Sequence, residues 1–203
     1  MKERLEAALG RSVSRETLER LALYADMIES EATRQNLVSR GTLGELWERH
    51  LIDSAQLARF EPHDGAAWVD IGSGAGLPGI VIACLVNGPV SLIEPRRLRV
   101  EFLYRVIERL DLTAMVIAAK AERATGNFDV ITARALAPLN ETFGLSLHLS
   151  TRKTVWVLPR GRNAQTEVAN ARRSWQGRFH VEPSATNADS GIVVATDVKA
   201  SGR

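Results

Sequence analysis

The chain contains a single cysteine, Cys84, which excludes an internal disulfide framework and any cysteine-rich metal cluster. It lacks a long apolar run. The longest, Ile80 to Val86, falls far short of the roughly 20 residues needed to cross a bilayer. No signal-peptide core follows the first residues either, since MKERLEAALG turns acidic and polar where an apolar stretch should begin. Charge of one sign is scarce as well: 26 Lys+Arg against 24 Asp+Glu leave only +2, too small a surplus to argue nucleic-acid binding alone. The expectation from these absences is a cytoplasmic chain with no membrane segment and no metal; a monomer is expected alongside, though none of these absences bears on it.

What is present is ordinary globular composition, 45% hydrophobic and 25% charged over 203 residues, a length suited to one α/β domain with an appendage. Arginines crowd between Arg96 and Arg109 and between Arg152 and Arg178, where local patches could meet phosphates. Solvated helix faces account for much of the same pattern.

The first sixty residues read as helical. Ser14 opens an apolar-periodic stretch through Leu18, Leu21, Tyr24 and Ile28. Gly41 and Gly44 interrupt it, and a second helix is expected over Leu43–Phe60. Glu61-Pro62-His63-Asp64-Gly65 is a turn, so the boundary falls between a helical region, 1–62, and an α/β domain, 63–203. Beyond it, short strands alternate with helices. Strands are expected at Ala67–Ile71, Val90–Ile93, Ala114–Ala118, Phe128–Thr132, Thr154–Leu158, Arg178–Glu182 and Gly191–Ala195. Helices are expected at Leu77–Val86, Arg96–Leu110, from Pro138 to about Leu149, and at Asn163–Trp175. Apolar strands alternating with helices imply a mostly parallel sheet covered on both faces.

The sharpest local signal is Val69-Asp70-Ile71-Gly72-Ser73-Gly74-Ala75-Gly76-Leu77-Pro78-Gly79, at a strand-to-helix junction where open α/β sheets bind ligands. No Gly-Lys-Ser/Thr follows, so it is not a P-loop. Counted from Gly72, the sixth position is Leu77, so the dinucleotide fingerprint fails too. Asp-x-Gly-x-Gly-x-Gly with the acid at the strand end fits an S-adenosylmethionine site instead. Glu94, ending the second strand, is placed to accept from ribose hydroxyls, and Ala121-Glu122, after the third, lies where an adenine edge would sit. The fold expected is therefore a Rossmann-like, S-adenosylmethionine-dependent methyltransferase with an N-terminal helical extension.

Two further absences narrow the acceptor. Cys84 lies mid-helix in an apolar run and suits packing rather than nucleophilic attack on a cytosine. No Asp/Asn-Pro-Pro-aromatic loop for exocyclic amines follows the fourth strand, which runs into Thr132-Ala133-Arg134-Ala135. Arg134 suits an acceptor-rich guanine edge or a phosphate. A small-metabolite methyltransferase and a non-catalytic ribosome-assembly module that kept the fold remain open on these residues alone.

The runs Asn36-Leu37, Trp47-Glu48-Arg49-His50-Leu51-Ile52-Asp53-Ser54, Asp70 through Ile80, and Phe128 through Ala135 followed by Pro138-Leu139 together resemble the bacterial small-subunit ribosomal RNA guanine-N7 methyltransferases, also called glucose-inhibited division protein B. The resemblance spans about Glu31 to Gly161. It implies 16S ribosomal RNA or the small subunit as partner, and cofactor contacts at Gly72, Leu77, Ala121, Glu122 and Arg134, to which the physical reading adds Gly74 and Glu94. Where members commonly carry Lys-Gly after the fifth strand, this chain has Arg160-Gly161. Arg134 and Arg160 are the expected RNA contacts. His50 and Asp53 share a helical face and could border the substrate mouth or brace the helical region. Guanine N7 attacks through an in-plane lone pair without first losing a proton, so no catalytic acid or base is expected.

Overall fold

The computed structural model describes residues 1–202; the side chains of residues 40, 42 and 43 fall outside the description. Seven strands form one sheet in the order β3-β2-β1-β4-β5-β7-β6. They are β1 (Trp68–Ile71), β2 (Val90–Ile93), β3 (Ala114–Ile117), β4 (Phe128–Thr132), β5 (Ser150–Arg160), β6 (Trp175–Pro183) and β7 (Gly191–Ala200). The first five are parallel, whereas β7 runs antiparallel between β5 and β6. Strand order reverses at β1 and β4, which opens a crevice above their carboxyl ends. Both β1 and β2 are buried throughout, as expected for a sheet covered on two faces.

Side chains alternate along each strand, and two separate apolar clusters result. Trp68 and Leu92 point into one, with Leu5, Leu21, Ile28, Leu51, Phe102 and Val130. Val69, Ile71 and Ile93 point into the other, with Phe143, Trp156 and Phe179. The N-terminal helices α1 (Lys2–Leu9) and α2 (Arg15–Glu31) therefore share a core with the face that carries α4 (Gly79–Ala83) and α5 (Arg97–Leu110). Asp70 alternates onto that same face, and this is why its charge acts on Tyr24 of α2. The opposite face carries α6 (Leu139–Ser146) and α7 (Ala164–Ala171).

Local physics explains most boundaries. Ser14 caps α2 by accepting from the Thr17 amide at 3.0 Å. Helix α5 buries Val100, Leu103, Val106 and Leu110 at helical spacing and ends at Asp111 with φ 51°. The expected helix Leu43–Phe60 is instead a chain of different turns: a 3-10 helix over Arg40–Glu45, a π-helical stretch Trp47–Ile52, one α turn α3 (Asp53–Ala55) and a 3-10 segment Gln56–Phe60. The widened π turn re-aims the polar residues of this run; apolar periodicity, which reports only the buried stripe, carries no sign of it. Strand β5 runs further in both directions than Thr154–Leu158, and β6 begins at Trp175, expected to end a helix. The carboxyl extension of β5 and the start of β6 pair with β7, and Ser150 pairs with Phe128 of β4, all long-range effects.

Candidate active site

At the carboxyl end of β1 the chain turns through Gly72, Gly74 and Gly76 with φ of 69°, 58° and 94°, values that a side chain strongly disfavours. The amides of Gly72 and Ser73 both donate to the Ile93 carbonyl, at 2.8 and 3.0 Å, which fastens the turn to the end of β2. A Cβ built on Gly79 would lie 2.2 Å from Leu92 Cδ2. The glycine that lets the helix press on the sheet is thus at the eighth position of the loop, two beyond the dinucleotide pattern, and the turn before it is wider.

Asp70 anchors this arrangement. It is buried, and its Oδ2 accepts from the Gly79 amide at 3.0 Å. Oδ1 has no hydrogen-bond partner among the described residues, nor has Oγ1 of Thr132, its register neighbour on β4. Burial pushes the Asp70 carboxyl up to about 7, against the pull of the Gly79 amide, Ser73 and Arg134. Tyr24 of α2 closes the turn from the other side, its buried hydroxyl donating to the Ala75 carbonyl at 2.7 Å. Loss of water also holds that phenol well above its ordinary value.

Glu94 is 2% exposed, and its carboxylate accepts from the Gly74 amide (2.9 Å) and the Arg96 amide (2.8 Å). Arg99 Nη1 stands 3.8 Å from Oε2. The acid is therefore aimed and rigid before any ligand arrives, and its oxygens keep lone pairs for hydroxyl donors. A Cβ on Gly74 would meet only Arg99 Nη1 at 3.4 Å and the Gly72 carbonyl at 3.7 Å. The bare glycine thus leaves the space over it open but for the end of Arg99, and these residues fit a nucleoside carrying an amino-acid arm. Ala121 and Glu122 lie in a 3-10 turn after β3, Ala121 buried and Glu122 exposed. The Leu77 side chain packs in the core, and its backbone amide donates to the Ser73 carbonyl at 3.2 Å within the turn. Leu136, from the segment after β4, lies over Gly72, with Cδ1 2.7 Å from where a Cβ would be.

Arg134 and Arg160 line one cavity but are held differently. Arg134 approaches the Arg49 carbonyl (3.5 Å) and Asp53 Oδ2 (3.9 Å), between the β1 tip and the N-terminal region. Burial lowers its pKa, opposed by Asp53, Tyr24 and Asp70. Arg160 is turned inward, its side chain 6% exposed, donating to the Ala137 carbonyl and to Thr142 Oγ1, each at 3.0 Å. It brackets the 134–138 segment from within, its planar fork donating to two internal acceptors. His50, beside Arg134, is held down at about 4 by burial and by the Arg134 and Arg49 charges. It is a neutral imidazole at neutral pH.

A family model described as GidB, rRNA small subunit methyltransferase G, matches residues 17–190. The chain belongs to the GidB family. A ribosomal RNA small subunit methyltransferase G from Zymomonas mobilis is 41% identical over 195 residues, 92% of this chain and 88% of that protein. One from Erythrobacter litoralis is 44% identical, covering 87% of each. Among solved structures, an S-adenosylmethionine-dependent methyltransferase from Aquifex aeolicus superposes with a TM-score of 0.60 at 14% identity, covering 75% of this chain and 93% of that one. Aeropyrum pernix fibrillarin bound to S-adenosylmethionine gives 0.57 at 11% identity, covering 73% and 75%. These likenesses establish the Rossmann-like methyltransferase fold.

Within this GidB chain, Gly72, Gly74, Glu94 and Arg134 come together along the carboxyl edge of the sheet. Tyr24, Arg99 and Leu136 border the same turn and escaped the sequence reading. Tyr24 is legible only as an apolar-face helix residue, and Arg99 only as one arginine of a basic run. Asp53 has become central. Its Oδ1 accepts from Gln56 Nε2 (2.8 Å), Thr186 Oγ1 (2.7 Å) and Ser184 Oγ (3.4 Å), which ties the helical run 47–60 to the loop between β6 and β7. Of the four tryptophans, Trp68 and Trp156 are fully buried. Trp47 is half-buried and lines a groove of about 1030 Å³ shared with Arg49, Asp53 and Asn187.

Proposed function

We propose that this protein transfers a methyl group from S-adenosylmethionine to N7 of a guanosine in 16S ribosomal RNA, in the cytoplasm, as a monomer and without a metal. The observation that carries the reading is the turn of left-handed glycines with Glu94 held rigidly against Gly74, in a chain of the GidB family. Gly72, Gly74 and the Leu77 backbone would follow the amino-acid arm of the cofactor, Glu94 its ribose, and Ala121 and Glu122 its adenine; Arg134 would orient cofactor or guanine. S-adenosylmethionine supplies an electrophilic methyl on a sulfonium. The chain's own residues bind, orient and exclude water. With N7 presenting a lone pair in the ring plane, no side chain needs to take a proton, and positioning with fixed dipoles supplies the acceleration. His50, neutral and beside Arg134, adds no charge there.

Residues 1–62 would form the substrate-facing wall and 63–203 the catalytic domain, the groove beside Trp47 and Arg49 offering RNA a path to Arg134. The test is transfer of labelled methyl to small subunits from a strain lacking the gene, with the product mapped to a guanine N7. Label found only in protein or small molecules would overturn the assignment.

A further inference from the structure

A second, smaller cavity of about 320 Å³ lies above the carboxyl ends of β4 and β5 and the start of β7, lined by Asp53, Arg134, Arg160, Ser184 and Ser190 among others. Its size suits a small planar ligand. Its polarity is specific, because the two Asp53 oxygens differ. Oδ1 takes the three donors named above, with Gln56 itself fully buried and locked by the Ala185 amide at 2.8 Å. Oδ2 receives no hydrogen bond among the described residues, and its nearest charged neighbour is Arg134 Nη1 at 3.9 Å. An acceptor fixed from behind and a guanidinium donor therefore stand side by side on one wall, both about one-fifth exposed.

Resting on the guanine-methylation reading, we propose that this cavity seats the target base and that Asp53 selects guanine. Guanine presents a donor at N1 and another at N2 next to an acceptor at O6, the complement of Asp53 Oδ2 beside Arg134. Adenine reverses the pattern at positions 1 and 6, so it would set donor against donor and acceptor against acceptor. With O6 on Arg134 and N1 on Asp53, the adjacent N7 lies on the side of O6 away from Asp53, and Arg134 itself follows β4, the strand next to β1. Asp53 is then a specificity-determining contact, and the Gln56–Ser184–Thr186 clamp is what holds it in register.

The experiment uses the full-length protein and small-subunit RNA ligated to carry guanine, inosine or 2-aminopurine at the mapped target. Inosine keeps N1–H and O6; 2-aminopurine keeps N7 but loses both. Wild-type enzyme should prefer guanine over 2-aminopurine by about 5- to 150-fold in kcat/KM, with inosine close to guanine. Asp53→Asn keeps a carbonyl oxygen for Thr186 and Gln56 but places an amide where Oδ2 was. It should lower guanine methylation and shrink the guanine preference to within a few-fold, because the amide can donate to N1 of 2-aminopurine. Equal wild-type rates on guanine and 2-aminopurine would overturn the proposal. So would an Asp53→Asn defect of the same factor on every base, which is what a bracing role predicts. If the variant does not fold, as judged by melting, the wild-type series alone decides. Absence of wild-type activity on guanine RNA would instead remove the underlying methyltransferase reading.

Discussion

Adding a single methyl group at Gly79 should destabilise the fold, whereas the same methyl at Gly74 should spare the fold and impair ligand binding. At Gly79 a Cβ would lie 2.2 Å from Leu92 Cδ2, 2.8 Å from Asp70 Oδ2 and 2.9 Å from Asp70 Cβ. None of these can swing away, since Leu92 and Asp70 are both buried in the sheet. The helix must retreat, which costs about 1–3 kcal/mol of overpacking, and the Gly79 amide then leaves Asp70 unpaired for roughly another 1–3 kcal/mol. A loss of about 2–6 kcal/mol should appear in urea unfolding, with a Tm drop of roughly 2–4 °C per kcal/mol. At Gly74 the neighbour at 3.4 Å is the end of Arg99, a flexible group, and the penalty is the left-handed backbone, about 1–2 kcal/mol. Its methyl would stand on the turn that the proposed cofactor arm follows, so calorimetry should show S-adenosylmethionine affinity falling at least about tenfold, or 1.4 kcal/mol. Gly79→Ala, measured well below its melting temperature, should keep more of that affinity. Normal binding by Gly74→Ala, or wild-type stability of Gly79→Ala, would refute these roles of the two glycines.

Three further outcomes follow from the same geometry. Because burial raises the Asp70 carboxyl to about 7 in the folded chain, its contribution to stability is fully present below the unfolded value near 4 and is lost as pH rises through 7; the upper bound is about 4 kcal/mol. The stability difference between wild type and Asp70→Asn, followed by urea unfolding from pH 4 to 8, should drift against wild type over that window, and a flat difference would contradict the burial argument. His50, depressed to about 4, acts oppositely, its stability present above 6.5 and lost as pH falls through 4, but it is common to both proteins and cancels. Tyr24→Phe removes the donor to the Ala75 carbonyl and should lower stability by about 1–3 kcal/mol; an unchanged midpoint would show that water replaces it. Arg160→Met should destabilise by a similar amount yet leave the slope of RNA affinity against salt unchanged, since an internal guanidinium releases no counterion; a slope reduced by about one would return Arg160 to the RNA surface.

Much of this protein is written locally. The glycine turn, the acid ending β2 and the alternation of short apolar strands with helices each follow from residues a few positions apart, because backbone freedom and periodicity are local properties. Those signals led to the Rossmann-like fold, to Gly72, Gly74 and Glu94, and, with the His50–Asp53 run, to the family. Tertiary structure decided what depends on distant partners. Asp53 acquires its clamp from Ser184 and Thr186, 131 and 133 residues away, and no spacing rule links them. Arg160 reads as a surface cation until the sheet and Thr142 enclose it. Tyr24 becomes a latch on the glycine turn only when α2 docks on the face to which Asp70 alternates. Burial and long-range pairing set the charge, reach and aim of these groups, and both exist only once the chain is folded.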